Sequence, residues 1–204
     1  MSRVLWICNI MLPAIGQELN LPYSNREGWL SGIFDRVCRE DSPFTLGVCF
    51  PSEETLRLTV QGISCYGFRE NLNTPENYDE ALEKEFHQIF EEFQPDMIHI
   101  FGTEFPHTLA AVKAFNNPKK TLIGIQGLCG EIAKVYMAGL PEAAYRRITF
   151  RDLIRKDSIR QQQEKFVRRG KNEAQAIMGC GNITGRTRFD REGTARINPH
   201  ALYY

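Results

Sequence analysis

Glu104 and His107 lie three positions apart in QPDMIHIFGTEFPHTLAAVKAF, a carboxylate and an imidazole close enough to face one pocket. Both side chains exchange protons, so the pair is a catalytic candidate. The segment before them reads as a strand over Asp96–Phe101, and a helix begins near Pro106. Gly102-Thr103-Glu104 is then a tight turn into a helix N-terminus, which offers unpaired N–H groups to an anion or a sugar hydroxyl. The competing reading is that Thr103 or Glu104 only caps that helix and His107 packs on its surface. His99, inside the strand, reads as a hydrogen-bonded core residue, and His87 as solvent-facing. The sequence has no HxH, HExxH or carboxylate cluster with ligand spacing, so no metal is expected. It shows no Ser/His/Asp order or nucleophile elbow either.

The elements that must position this pair alternate. Val4–Cys8 is a continuous apolar run of the kind found in a strand buried on both faces. The stretch from Asn9 to Gly28 holds Pro13, Gly16, Pro22 and Gly28 and is expected to be irregular. After Trp29, residues Leu30, Ile33, Phe34 and Val37 recur at helical spacing. Phe44–Phe50 and Arg57–Cys65 read as two strands. A helix is predicted with Thr74 as N-cap and Pro75 at its first position, carrying a stripe of Tyr78, Leu82, Phe86, Ile89 and Phe93. Lys120–Ile125 is a further strand, and after Pro141 the pattern is helical and polar through Ala176. Strands alternating with helices imply an α/β domain with a parallel, doubly wound sheet. Ligands in such sheets sit beyond the carboxyl ends of the strands, which nominates the loops Asn9–Gly16, Gly102–His107 and Gln126–Gly130.

Gly179, Gly181 and Gly185 form GxGxxxG, yet a helix precedes them and only 19 residues follow Gly185. A dinucleotide fingerprint follows a strand, opens a helix and needs an acidic residue about 20 positions on, so this cofactor is disfavoured. The 204 residues suit one domain, and the formal net charge is zero. Charge is nonetheless uneven: 12 acidic and 3 basic residues from Glu53 to Glu104, against 10 basic and 3 acidic from Arg146 to Lys171. That basic stretch could rest on anionic phospholipid or form a solvated helix face. Its aromatic residues are too sparse for nucleic acid. Six cysteines without a CxxC pair read as reduced and structural. No run spans a bilayer and no cleavable signal is visible, so a cytoplasmic location is expected.

Taken together, VLWICNIMLP (Val4–Pro13), Glu27-Gly28-Trp29, PDMIHIFGTEFPHTLA (Pro95–Ala110), IGIQGL (Ile123–Leu128) and RRGKNEAQAI…ITGRTRFD (Arg168–Asp190) resemble a bacterial branch of the family 4 glycosyltransferases. The resemblance runs over nearly the whole chain. It implies one half of a GT-B fold: a Rossmann-like, acceptor-side N-terminal domain occupying residues 1–204, with the donor domain outside them. It also implies metal-free, retaining transfer of a sugar to a glycan or lipid-linked acceptor, in the building of a surface polysaccharide. The nucleotide-sugar donor would bind the other domain, so no cofactor is expected here. By resemblance, Gly16, Trp29, Gly102, Thr103, Gln126, Gly127, Arg186 and Thr187 would border the cleft, with Arg186 able to attract a phosphate. Family members carry an E-x7-E element in the second domain; Glu83 and Glu91 have its spacing by chance, in an acidic helix of the first. Two other readings are a self-sufficient ligand-binding or regulatory module and a nucleotide-sugar epimerase of the same architecture.

Overall fold

The computed structural model describes residues 1–21, 23, 28–39 (of residue 39 the backbone alone) and 42–204. Leu5, Trp6 and Ile7 are all buried in the first strand, β1 (Ser2–Ile7), as a central strand requires. Helices α1 (Pro13–Leu19) and α2 (Gly28–Arg39) follow, then strands β2 (Phe44–Ser52), β3 (Leu56–Val60) and β4 (Ile63–Arg69). Helix α3 (Ala81–Phe93) leads to β5 (Met97–Phe101), and α4 (Pro106–Phe115) to β6 (Thr121–Gly124). Beyond them come α5 (Cys129–Val135), α6 (Glu142–Arg146), α7 (Phe150–Arg155) and α8 (Ile159–Met178), then β7 (Asn182–Thr184), α9 (Arg188–Ile197) and β8 (Leu202–Tyr203).

Three local expectations are corrected. The Asn9–Gly28 stretch is not wholly irregular: Pro13 opens α1, where its missing N–H costs nothing, and Asn20 closes it in a left-handed conformation with φ 53°. Pro22 and Glu27 lie outside the described residues. The expected strand Arg57–Cys65 is a hairpin, turned at Gln61 and Gly62, whose φ values of 50° and 80° suit a two-residue primed turn. Thr74-Pro75 opens a turn, not a helix, and α3 starts at Ala81. Glu76 is drawn into a buried position against Lys165 and Arg168 of α8, 3.8 and 4.0 Å away, which holds that segment off the helical path. The stripe Leu82, Phe86, Ile89 and Phe93 is buried as its spacing predicts.

All eight strands form one sheet in the order β3-β4-β2-β1-β5-β6-β7-β8, parallel except for the β3–β4 hairpin. The order reverses around β1, which pairs with β2 on one side and β5 on the other. One face buries Leu5, Ile7, Phe68, Ile98, Ile100 and Ile123 beneath α3, α4 and α8. The opposite face buries Trp6, Cys8, Val48 and Phe50 beneath α1 and α2. Five of the six cysteines are buried and Cys38 is exposed, and none of the six forms a disulfide. Among the described residues no helix is long and apolar enough to cross a membrane.

Candidate functional site

β1 and β5 are neighbours, so their carboxyl ends bring Asn9 beside Gly102 at the place where the sheet order reverses. Gly102 has φ 93°, and a Cβ there would run into the Glu104 carboxylate and the Asn9 amide; only glycine fits. Glu104 folds back over this glycine. Its Oε2 accepts from the Thr103 backbone N–H at 2.8 Å and from Asn9 Nδ2 at 3.5 Å. Its Oε1 lies 3.6 Å from where a Cβ of Gly127 would stand. Arg169 of α8 donates from Nε to the Glu104 carbonyl oxygen at 2.8 Å. The pair of turns is tied together by Thr103 Oγ1, which donates to the Gly127 carbonyl at 3.2 Å.

His107 is fully buried, so it does not share an open pocket with Glu104. Its Nδ1 lies 2.6 Å from Glu70 Oε2, and its Nε2 3.0 Å from Asn9 Oδ1. The His107 backbone N–H also donates to Glu70, at 2.9 Å. Because the Asn9 amide group gives its N–H to Glu104, its oxygen is left to accept from the imidazole. The result is a continuous chain, Glu70–His107–Asn9–Glu104, running from a closed interior to the half-buried carboxylate. The two ends are thus linked through a single side chain, Asn9.

A second carboxylate reaches the same turn from α8. Glu173 is buried; Oε2 accepts from the Cys129 N–H at 2.6 Å and from Thr103 Oγ1 at 3.5 Å, and Oε1 accepts from the Gly130 N–H at 3.3 Å. It thus caps the start of α5 from another helix. The approach depends on paired glycines, since a Cβ at Gly170 would lie 2.5 Å from the Gly130 Cα. Burial pushes the Glu173 carboxyl up to about 7, against the pull of the two N–H donors and with a further push from Glu104. Burial also raises Glu104, opposed by the backbone N–H groups of its own residue and Thr103, by Arg169 and by Asn9. A carboxylate lifted toward neutrality can take and return a proton.

The expected site residues divide into a cluster and a periphery. Gly102, Thr103, Glu104 and Gly127 converge as described, with Gln126 on the same loop. Trp29, half exposed at the start of α2, holds its ring 5.8 Å from Phe101, one residue before Gly102. Gly16 is buried in α1, where a Cβ would meet Tyr23 at 2.7 Å, so packing explains it. Arg186 and Thr187 stand at the end of β7, two strands from β5. Thr187 is the N-cap of α9, and its backbone and that of Arg186 donate to Asp190 Oδ2 at 2.9 and 3.0 Å. That helix start is therefore filled by the protein's own anion, while the Arg186 side chain is exposed.

His99 sits between Trp6 and Phe101, and burial pushes its imidazole down to about 4. Gly179, Gly181 and Gly185 pack against Val112, Pro118 and Tyr203. Sequence reasoning did not single out Glu70, Arg169 or Glu173, and took Asn9 only as the start of a loop. Asn9 and Glu70 carried a readable signal, each lying just beyond a strand end. Gly170 carried another, because a glycine inside a long helix costs about 1 kcal/mol and implies close approach. Next to Glu70, a cavity of about 450 Å³ opens beyond β2 and β4, lined by Ser52, Arg69, Asn71, Asp79 and Glu85 among others. Among the described residues no group of three or more His, Cys, Asp or Glu could hold a metal ion.

No protein-family model matches the chain and no curated protein does. Its fold, however, matches solved GT-B structures. Over 100% of this chain and 47% of the other, it superposes on the sucrose-phosphate synthase of Thermosynechococcus elongatus with a TM-score of 0.52 and 9% identity. Over 99% of this chain and 45% of the other, it superposes on the UDP-GlcNAc 2-epimerase of Neisseria meningitidis, solved with UDP-GlcNAc, with a TM-score of 0.50 and 11% identity. The chain thus spans about half the length of these structures. At such identities the likeness is one of fold, and it shows an α/β, mostly parallel sheet of the kind that forms one Rossmann-like half of a GT-B protein.

Proposed function

We propose that these residues form the acceptor-side domain of a retaining, family 4-like glycosyltransferase that moves a hexosyl unit from a nucleotide sugar to a glycan or lipid-linked acceptor. In this reading a second, donor-binding domain closes over the strand ends, no metal takes part, and the setting is polysaccharide synthesis on the cytoplasmic side. The observation that carries the reading is the Glu104 carboxylate, held over Gly102 and Gly127 and backed by Asn9, His107 and Glu70. As retention requires, an acceptor hydroxyl would bond to the anomeric carbon on the same face from which the leaving phosphate oxygen departs, as the bond from that carbon to this oxygen breaks. The hydroxyl proton would pass to Glu104, and the nucleotide would depart with the electron pair. Trp29 offers an exposed aromatic face for a sugar ring, and Arg186 an exposed guanidinium for a phosphate. Fold alone does not separate transfer from epimerisation, since a synthase and an epimerase share it; movement of the sugar onto an added acceptor, against its return as an isomer, separates them.

The test is a transfer assay on the polypeptide of the complete reading frame with a panel of nucleotide sugars and acceptors. Glu104→Gln should lower kcat about 100-fold with the fold intact. An unchanged rate in that variant, or no transfer from any donor by the wild type, would overturn the reading.

A further inference from the structure

Among the described residues, several large apolar side chains stand exposed between α5 and α8. Ile148, Phe150, Leu153 and Ile154 are 65%, 79%, 67% and 67% exposed. Phe150, Leu153 and Ile154 fall at i, i+3 and i+4 of α7 and so share one face. The helix is a defined element: Thr149 caps it and Asp152 completes the capping box. It carries Arg151 and Arg155 beside the apolar face, with Arg146, Arg147 and Lys156 flanking it; Arg146 pairs with Glu142 and Arg151 with Asp157. Asp152 is the only acidic residue from Arg146 to Lys156, and it is spent on the cap. Such surface is ordinarily covered by a partner or a membrane.

We infer that α7 and its flanks dock the protein on an anionic bilayer surface. Phe150, Leu153 and Ile154 would enter the headgroup boundary, and Arg147, Arg155 and Lys156 would meet the lipid phosphates. Charge selects this occupant over a second copy of the chain, because self-pairing would set the same cations against each other. Position supports it too. Glu173 meets Thr103 and Cys129 at the level of the strand ends, and α8 begins fourteen positions earlier at Ile159. The start of α8 therefore stands about 20 Å beyond that level, and α7 lies on the same side as the carboxyl ends of the strands. A docked molecule would hold those ends toward the bilayer, where a lipid-linked acceptor resides; only this last point rests on the proposed function.

The test is co-sedimentation of the 204-residue chain with phosphatidylcholine vesicles, with and without phosphatidylglycerol. Binding should require the anionic lipid and weaken with salt. The surface triple variant Phe150→Ser, Leu153→Ser, Ile154→Ser should lose about tenfold or more in affinity. Arg147→Gln with Arg155→Gln should lose about 25-fold, from about fivefold per cation. Phe150→Trp should show a blue-shifted emission on anionic vesicles alone. Absence of vesicle binding, wild-type affinity in the triple variant, or a concentration-dependent dimer that the triple variant abolishes would each overturn the assignment. No sugar transfer is measured, so this result stands or falls apart from the enzymatic reading.

Discussion

Two turns in this molecule have the same outline, a strand ending in glycine and leading into a helix, and they differ in who satisfies the helix start. At the β7–α9 turn the answer is local: Thr187 and Asp190 exchange bonds in a capping box three residues wide. At the β5–α4 turn it is distant. Phe105 offers no side-chain cap, and the His107 N–H donates to Glu70, 37 positions away. Asn9, 95 positions from Glu104, supplies a further donor to its carboxylate. A helix that caps itself is finished as a structural part. One whose start is completed by other strands fixes those strands' ends relative to each other, which is what a site needs.

The contrast can be broken from either side. Glu70→Ala removes the partner of a fully buried imidazole and of a buried N–H, and should cost about 3 kcal/mol or more in urea denaturation. A loss under about 1 kcal/mol would mean that the β5–α4 turn is as self-contained as the other. Next in size is the Glu173 carboxyl, whose position near 7 lies above its ordinary 4.5. Its raised value means that the folded state favours the proton, so the associated stability is complete below pH 4.5 and fades as pH rises through about 7. The change is on the order of 3 kcal/mol. Glu173→Gln should flatten that slope between pH 4.5 and about 7; an unaltered slope would sink the assignment. At the local turn, Thr187→Ala should cost about 1 kcal/mol in thermal unfolding and leave ligand binding at the β5 end unchanged. Smallest of all, Arg186→Ala should leave stability within about 0.5 kcal/mol, and any change in phosphate affinity would show a binding role that its exposed side chain permits.

The sheet was legible in the sequence because its strands are short apolar runs and its helices carry clear stripes, as Leu5–Ile7 and Leu82–Phe93 show. The Gly102–Glu104 turn was legible for a similar reason, since a glycine after a strand and a proline at a helix start are local signals. What could not be read is what depends on pairing across the sheet. The Thr74-Pro75 signal had every local mark of a helix start, and the contact of Glu76 with α8 overrode it. His107 looked like a surface or pocket residue because nothing within ten positions of it announces Glu70 or Asn9. Glu173 sits among charged residues of a long polar helix, and only the Gly130–Gly170 contact lets it reach inward.

The reversal of strand order around β1 also governs how the molecule comes to be made. The first 69 residues complete β1 to β4 and bring the two helices that cover one side of them. The other side, with Leu5, Ile7, Cys49, Tyr66 and Phe68, has its covering layer encoded only from Ala81 onward. A chain emerging from the ribosome therefore carries half a sheet with one bare oily side until α3 has been synthesised, and that interval is when it most needs a chaperone.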